Sequence, residues 1–351
     1  MPPVLWQRLQ LKLPVIQAPM AGGATTPQLV SAVCEAGGLG FLAASMLSPE
    51  QIRQEAARIR ARTCQPFGIN LFIQNDPEPG VAELEAALGS LRPWHAELGL
   101  AAPTAPERFC QPFEAQWLAL LEARPAVASF TFGILTPEQV RALKAENILV
   151  IGTATNLAEG LAWTEAGADA VCAQGREAGG HRGTFIGEQT QSLRPMLSLV
   201  YELAQNLPLP VIAAGGIMNG REIAAAMRHG AQACQLGTAF LRCPESGISA
   251  TWKQALAQAK AGDTCLTRAF SGRYARGLSN RYIEAMARCQ EQLPAYPVMN
   301  ALTGPLRAAA AQAGRSDLMS LWAGEGVAEA RELPVAELMA QLQVEWQAAY
   351  R

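Results

Sequence analysis

The sequence is poor in charged and aromatic residues, and its charges are nearly balanced. Charged residues make up 17% of the 351 residues and aromatic residues 6%, and 28 basic against 30 acidic side chains give a formal net charge of −2. No block of like charges forms a basic stripe or an acidic tail, so the sequence has no electrostatic signature for nucleic acid or anionic lipid. We therefore expect a small-molecule ligand and no nucleic-acid partner.

Long apolar runs and paired cysteines are also missing. No stretch of about 18 consecutive apolar residues occurs, and the N-terminus lacks the features of a secretory signal, so we expect a cytoplasmic protein with no membrane partner. The eight cysteines include no C-x-x-C pair, which argues against a zinc site or a disulfide framework. Cys34, Cys172 and Cys234 lie in apolar segments, and we expect them to be small core residues.

The sequence does contain a repeated alternation of short apolar runs and amphipathic stretches. Half of all residues are hydrophobic, and near-continuous apolar runs are typical of parallel strands that are buried on both faces. We predict strands at residues 15–20, 39–44, 67–73, 127–132, 148–153, 168–173, 210–214 and 233–241.

Helix signals separate these runs. Thr26, Ser48 and Thr136 each precede a proline, which places a capping residue before the first helical position. Repeated strand and helix units predict an α/β fold that closes into a (β/α)8 TIM-type barrel. An open doubly wound sheet is the alternative, but no G-x-G-x-x-G fingerprint follows the first predicted strand.

Two regions interrupt this rhythm. Residues 74–124 are too long for an ordinary strand-to-helix connection and predict one or two helices over the barrel rim. After residue 241 the segments 246–288, 306–322 and 335–349 have helical patterns. We divide the chain into a barrel at 1–241, a helical cap region over the substrate site at 242–315, and C-terminal helices at 316–351 that pack back on the barrel.

The most informative motif is a histidine inside a glycine-rich loop. His181 follows the predicted strand 168–173, and two further glycine loops, at 215–216 and 237–238, each lie at the end of an apolar run. Because the catalytic groups of such barrels lie at the C-terminal ends of the strands, the three loops predict one active site. Glycine pairs and single histidines are also common structural features, so the structural interpretation stays open for each loop taken alone.

The other strand ends suggest a ligand with a phosphate and a ring. The loops after the last two barrel strands commonly bind phosphate, because glycine lets backbone N–H groups approach an anion, and Thr238 adds a hydroxyl group. Residues 18–20 form a small apolar surface on which a planar ring can lie. The amides of Asn70 and Gln174 can either contact such a ring, for example a flavin, or anchor their own loops.

Several motifs occur in an order that carries a family resemblance. They are residues 17–23, 36–40, 177–183, 213–217 and 235–240, followed by 275–281, 296–300 and 321–326. Across nearly the whole chain they resemble the nitronate monooxygenases, formerly called 2-nitropropane dioxygenases, of the bacterial class I type. The resemblance implies an FMN-dependent barrel enzyme that oxidises alkyl nitronates, such as propionate 3-nitronate, with O₂. The expected products are a carbonyl compound and nitrite or nitrate, formed through one-electron transfer to the flavin, and the assembly stays open with a homodimer as one option.

The resemblance assigns some of the site residues, and the positions of others in the predicted barrel suggest the rest. His181 falls at the position of the catalytic histidine, where it could be protonated to hold a nitronate or neutral to deprotonate a nitroalkane. Arg182 and Tyr296 are candidate substrate contacts, although each is also explained as a structural residue. Where the family usually has a glutamine in its C-terminal tryptophan-glycine motif, this chain has Glu325. Whether residue 325 contacts the flavin is therefore left open. The residues expected to bind FMN are Ala18, Pro19, Met20, Asn70, Gln174, Gly179, Gly180, Gly215, Gly216, Gln235, Leu236, Gly237 and Thr238.

Other functions remain open at this point. A similar flavin barrel with a glycine-glycine-histidine loop serves NAD(P)H-dependent reductases of quinones or enoyl thioesters. A phosphate-binding barrel isomerase or lyase would need no flavin and would use His181 to move protons. A flavin-binding protein without turnover would leave the histidine loop without a purpose.

Overall fold

A barrel of eight parallel strands forms the centre of the fold in the computed structural model, which describes residues 5–350. The predicted α/β barrel is therefore confirmed. Its strands are β1 Val15–Gln17, β2 Phe41–Ala43, β3 Gly68–Phe72, β4 Val127–Thr131, β5 Leu149–Ala154, β6 Ala170–Gln174, β8 Val211–Ala214 and β9 Ala233–Leu236. A separate antiparallel sheet contains β7 Gly180–His181, β10 Thr264–Thr267 and β11 Ala275–Leu278.

Helices surround the barrel and extend over one end of it. They are α1 Leu5–Arg8, α2 Pro27–Glu35, α3 Pro49–Arg60, α4 Val81–Glu97, α5 Phe113–Ala123, α6 Pro137–Ala145, α7 Leu157–Ala166, α8 Met196–Asn206, α9 Gly220–Arg228, α10 Thr238–Leu241, α11 Ala250–Gln258, α12 Arg281–Met286, α13 Val298–Leu302, α14 Gly304–Gln312 and α15 Val335–Tyr350. Short 3-10 helices lie at Gln290–Gln292, Ser316–Leu318 and Glu325–Glu329. No helix among the described residues is long and apolar enough to cross a membrane.

The barrel closes between its first two strands. The strand order is β1-β9-β8-β6-β5-β4-β3-β2, and a parallel bridge from Ile16 to Leu39 joins the two ends. Where this short ladder stops, the fully buried Gln17 side chain continues it, because its Oε1 accepts a hydrogen bond of 3.1 Å from the N–H of Phe41. Apolar side chains of the strands and of the surrounding helices form the core. Cys34, Cys172 and Cys234 are buried in it as predicted.

The predicted helix starts are confirmed at the three proline positions. Thr26, Ser48 and Thr136 each accept a hydrogen bond from a backbone N–H in the first turn of the following helix. Ser48 and Thr136 form complete capping boxes with glutamines three residues later. These caps satisfy N–H groups that have no partner within the helix, so each strand-to-helix transition is fixed by local sequence.

Two secondary-structure predictions are wrong. The strand predicted at 233–241 ends at Leu236, and its second half is helix α10, because a short apolar run fits a buried helix as well as a strand. The cap region at 242–315 is not purely helical, since it contains β10 and β11. These strands pair with each other and with β7, which brings the cap directly onto the loop that contains His181.

The insertion at 74–124 forms α4 and α5, within the predicted range of one or two helices. Helix α5 adds Trp117 and Leu120 to the barrel core, whereas α4 adds Leu91 to the core of the cap region. The C-terminal helix α15 lies on the barrel side, with Leu338 and Leu342 in the barrel core. Helix α4 of the insertion therefore packs with the cap and α5 packs on the barrel, and the domain boundaries themselves stay a prediction.

Candidate active site

One cavity lies at the C-terminal ends of the barrel strands and beneath the cap. Among the residues that line it are most of those singled out from the sequence. These are Ala18, Pro19, Met20, Asn70, Gln174, Gly179, Gly180, His181, Gly215, Gly216, Gln235, Gly237, Thr238 and Tyr296. Within residues 5–350, no group of three or more His, Cys, Asp and Glu side chains is arranged to hold a metal ion.

The loop that contains His181 is fixed by the cap and by β6. Strand β7 pairs with β11, so that His181 lies opposite Ala275. At the end of β6, Gln174 donates from Nε2 to the carbonyl oxygen of His181 at 2.9 Å and accepts at Oε1 from the N–H of Gly183 at 2.8 Å. Gln174 thus anchors this loop, and its remaining N–H is the part that stays available to a ligand.

The imidazole of His181 is surrounded by aromatic rings. The ring centroids of Phe132, Tyr296 and Trp322 lie 6.0, 5.2 and 5.4 Å from it. Burial lowers the pKa of His181 to about 3, with Arg273 and Arg307 as further causes. His181 is therefore neutral at neutral pH, and its Nε2 atom is buried with no hydrogen-bond partner among the described residues. A neutral imidazole can take a proton or donate its N–H, which are both functions of an acid–base group.

The substrate role suggested for Arg182 is wrong. Its side chain is completely buried and donates to three backbone carbonyl oxygens, those of Gly175 at 2.6 Å and of Gln174 and Ser192 at 3.0 Å. It does not line the cavity. Arg182 therefore holds the two ends of the histidine loop together instead of meeting a substrate.

Leu236, a predicted FMN contact, does not line the cavity. Its side chain is 1% exposed and packs in the barrel core, and its carbonyl oxygen accepts from the N–H of Ala18 at 2.8 Å. Side chains alternate along a strand, so the neighbouring Gln235 faces the cavity while Leu236 faces away from it. The run 235–238 thus lines the cavity with Gln235, Gly237 and Thr238 but not with Leu236.

Glycines form the end of the cavity next to β8 and β9. Gly215 and Gly216 have φ values of +129° and +73°, which other residues rarely adopt. Helix α10 begins at Thr238, and the first N–H groups of a helix have no partner within it. The hydroxyl of Thr238 accepts a hydrogen bond of 2.9 Å from the N–H of Gly324, which draws the C-terminal segment against this end.

The adjoining wall, at the end of β1, is apolar. Residues 18–20 lie beside Gly237, at which an added Cβ would be 3.5 Å from the Cβ of Ala18 and 3.6 Å from the sulfur of Met20. Further along the wall, Asn70 donates to the carbonyl oxygen and hydroxyl of Ser129 at 3.1 and 3.0 Å. These contacts fix the orientation of the Asn70 amide at the cavity surface.

Sequence analysis missed three residues around His181. Phe132 has a left-handed φ of +76°, which is unusual for a bulky residue and often marks a functional site. The guanidinium carbon of Arg273 lies 4.1 Å from the centroid of the Phe132 ring, and Arg307 lines the cavity. No local pattern identifies these residues, because their proximity depends on long-range contacts between the barrel and the cap.

The carboxylate of Glu325 is engaged elsewhere. Its Oε1 lies 2.8 Å from Nη2 of Arg276, and Glu325 is not part of the cavity lining. Trp322, from the same motif, does line the cavity. The motif around residues 321–326 therefore reaches the site in two ways. Trp322 lines the cavity, and the N–H of Gly324 donates to the hydroxyl of Thr238.

The chain is similar to known proteins over nearly its whole length. The family model described as "Nitronate monooxygenase" matches residues 3–345. The chain is 38% identical over 341 residues to a probable nitronate monooxygenase of Staphylococcus aureus (strain Newman), with 96% of this chain and 95% of the relative covered. It is similar to the crystal structure of nitroalkane oxidase from Streptomyces ansochromogenes, with a TM-score of 0.91, 42% identity and 98% of each chain covered. It is also similar to FabK from Thermotoga maritima, with a TM-score of 0.75, 28% identity, and 97% and 95% of the two chains covered.

Proposed function

Because the chain belongs to the nitronate monooxygenase family, we propose that it is an FMN-dependent enzyme that oxidises alkyl nitronates with O₂. The products are a carbonyl compound and nitrite or nitrate. The observation that carries the proposal is the neutral His181, whose unpartnered Nε2 lies beside a cavity lined by glycine loops and by an apolar wall.

The residues at the two ends of the cavity fit FMN. Backbone N–H groups at Gly216 and at the start of α10, with the hydroxyl of Thr238, would hold the phosphate without a cationic side chain. The apolar wall at residues 18–20 would contact the ring system, and the amides of Asn70 and Gln235 would hydrogen-bond its polar edge. When bound, FMN supplies the electron-accepting ring that oxidation of a nitronate requires.

His181 supplies the protein's own acid–base group. Since it is neutral, it does not hold a nitronate as a permanent cation. Its unprotonated nitrogen can take the proton from the carbon of a nitroalkane, and its N–H can donate a hydrogen bond to an oxygen of a nitronate. The aromatic rings of Phe132, Tyr296 and Trp322 keep water away from this nitrogen.

The proposal is tested with purified, FMN-loaded protein by measuring O₂ consumption and nitrite formation with a nitroalkane and with its nitronate. His181→Asn should lower kcat/KM for the nitroalkane by about 100- to 10,000-fold, the range typical of general base catalysis. For the nitronate we expect a smaller loss of about 10- to 100-fold, as for a hydrogen bond to a charged group. His229→Asn, an exposed histidine at the end of α9, is the matched control. Unchanged rates in His181→Asn would contradict the proposal.

A second candidate is NAD(P)H-dependent reduction of an enoyl thioester. It is favoured by the loop of Gly179, Gly180 and His181 at the cavity, because a similar glycine-glycine-histidine loop serves such reductases. Oxidation of NADH that depends on a crotonyl thioester, with no nitrite formed from nitronates, would support this candidate over the first.

A further inference from the structure

Arg273 lies behind the residues that surround His181, on the loop between β10 and β11, and does not line the cavity. Its Nε donates to the carbonyl oxygen of Arg182 at 2.7 Å, and its Nη2 donates to that of Thr184. One guanidinium group therefore holds the backbone just after His181, on both sides of Gly183. Burial lowers the pKa of Arg273 to about 10, so the side chain is still a cation at neutral pH.

The same guanidinium group lies over the ring of Phe132. Its carbon atom is 4.1 Å from the ring centroid, which is a cation–π distance. Phe132 directly follows β4 and has a φ of +76°, a left-handed conformation that a bulky residue keeps only where surrounding contacts hold it. Its ring stands edge-on to the imidazole of His181, with centroids 6.0 Å apart and planes at 90°. Arg273 therefore contacts both the ring that faces His181 and the backbone that follows it.

The charged groups around His181 are cations. Burial is the largest cause of its low pKa, followed by Arg273 on the β10–β11 loop and Arg307 on α14. On the histidine loop itself, Arg182 is bonded to three carbonyl oxygens. Tyr296 is uncharged at neutral pH, since burial raises its pKa, and the other rings around the imidazole do not titrate. Among the described residues no Asp or Glu lines the cavity, so these surroundings favour a neutral imidazole.

We propose that Arg273 is a positioning residue for His181, which fixes the orientation of the imidazole by holding the Phe132 ring and the backbone that follows the histidine. The planar guanidinium group makes both carbonyl bonds and stacks on the ring at the same time, which the ammonium group of a lysine cannot do. The imidazole is thereby oriented before a substrate arrives, and orientation of a reacting group contributes directly to the rate. This inference rests on the proposed function for its reaction, but the state of the imidazole can be tested without turnover.

The kinetic test is a double-mutant cycle of Arg273→Met and His181→Asn in FMN-loaded protein, with kcat/KM for a nitroalkane as the measured quantity. Arg273→Met alone should lower kcat/KM by about 10- to 100-fold, as for a small displacement of a catalytic group. In the His181→Asn background it should lower kcat/KM by no more than about 2-fold, because the group that Arg273 positions is already absent. Arg273→Lys should lose nearly as much as Arg273→Met, and it carries the same cycle if Arg273→Met does not fold.

The second test needs no turnover and follows the imidazole nitrogens of His181 by NMR in the FMN-loaded protein as the pH is lowered. His181 in Arg273→Met should take up its proton at a higher pH than in the wild type, because a nearby cation is removed. Arg273→Lys keeps the charge and should titrate close to the wild type. Arg281→Met is the control for both tests, since Arg281 also lies over an aromatic ring, that of Trp94 at 5.2 Å, and pairs with Asp317.

Three results would each overturn the inference. They are equal losses of kcat/KM in the two backgrounds, full activity in Arg273→Lys, and an unchanged His181 titration in folded Arg273→Met. A structural role alone would give the first of these, because a general loosening of the site lowers kcat/KM with or without the imidazole. If no nitroalkane or nitronate is oxidised but the titration of His181 depends on Arg273, the proposed reaction fails and the role of Arg273 stands.

Discussion

Replacing Glu159 with glutamine is expected to loosen the segment that carries His181. Glu159 is completely buried on α7. Its Oε2 accepts from the N–H and hydroxyl of Thr155 at 2.6 and 2.8 Å, and its Oε1 accepts from the N–H groups of Phe185 and Ile186. One carboxylate therefore joins the end of β5 to the chain just after His181.

The magnitude follows from these contacts. A carboxylate accepts at both oxygens, whereas a glutamine side chain must turn its NH₂ group towards one of the two sets of donors. At least one hydrogen bond to a charged group is lost, and the NH₂ group of the glutamine is left facing a buried N–H or hydroxyl donor. Together these changes lower the free energy of unfolding by about 2–4 kcal/mol. Burial lowers the pKa of both Arg182 and Arg273 to about 10, and Glu159 opposes this shift in each. Loss of its charge therefore also destabilises these two cations.

The assay is urea unfolding of Glu159→Gln beside the wild type, together with kcat/KM for a nitronate. Glu165→Gln is the matched control, because Glu165 is an exposed glutamate on the same helix. We expect the control to lie within about 0.5 kcal/mol of the wild type, as for most surface substitutions. If Glu159→Gln is equally harmless and retains full activity, Glu159 does not position the histidine loop.

Three further predictions concern single residues. Gly179→Ala should weaken FMN binding, measured by flavin fluorescence, because its Cβ would lie 2.6 Å from the carbonyl carbon of Ala323; unchanged affinity would contradict this. His181 has its pKa lowered from 6.5 to about 3, so the unfolded chain binds the extra proton between these values. Stability should therefore fall as pH drops from about 6.5 towards about 3, and less steeply in His181→Asn, as followed by thermal unfolding; equal slopes would refute the assignment. Cys64 is exposed and should be the first thiol to react with Ellman's reagent. Cys172 is buried, which raises its pKa to about 12, and it should react only on unfolding. Mass spectra that show Cys172 modified before unfolding would contradict its burial.

The barrel could be predicted because its determinants are local. Each strand is a short apolar run, and capping residues such as Ser48 and Thr136 mark the helices between them. The glycine loops could be placed in one site because the ends of parallel strands meet at one face of the barrel. His181 was found in this way, and the structure brings it to the cavity together with the two other glycine loops.

The residues that could not be predicted depend on contacts distant in sequence. Strand β11 includes an arginine and a glycine and has no apolar alternation, and it forms by pairing with β10 and with the histidine loop. Arg182 looked available to a substrate, because a sequence does not reveal that three carbonyl oxygens surround its guanidinium group. Arg307 lies in an alanine-rich helix with no motif around it, and only the fold places it at the cavity.

The central claim is that this cavity holds FMN and that the bound flavin takes its electrons from nitronates and not from NADH. The most direct measurement is the visible absorption spectrum of the FMN-loaded protein without oxygen, with propionate 3-nitronate and NADH added separately. We predict that the nitronate converts the flavin spectrum to that of the one-electron-reduced flavin and that NADH leaves the spectrum unchanged over the same time. Bleaching by NADH alone would contradict the account in favour of a reductase, and failure of the protein to bind FMN at all would contradict both functions.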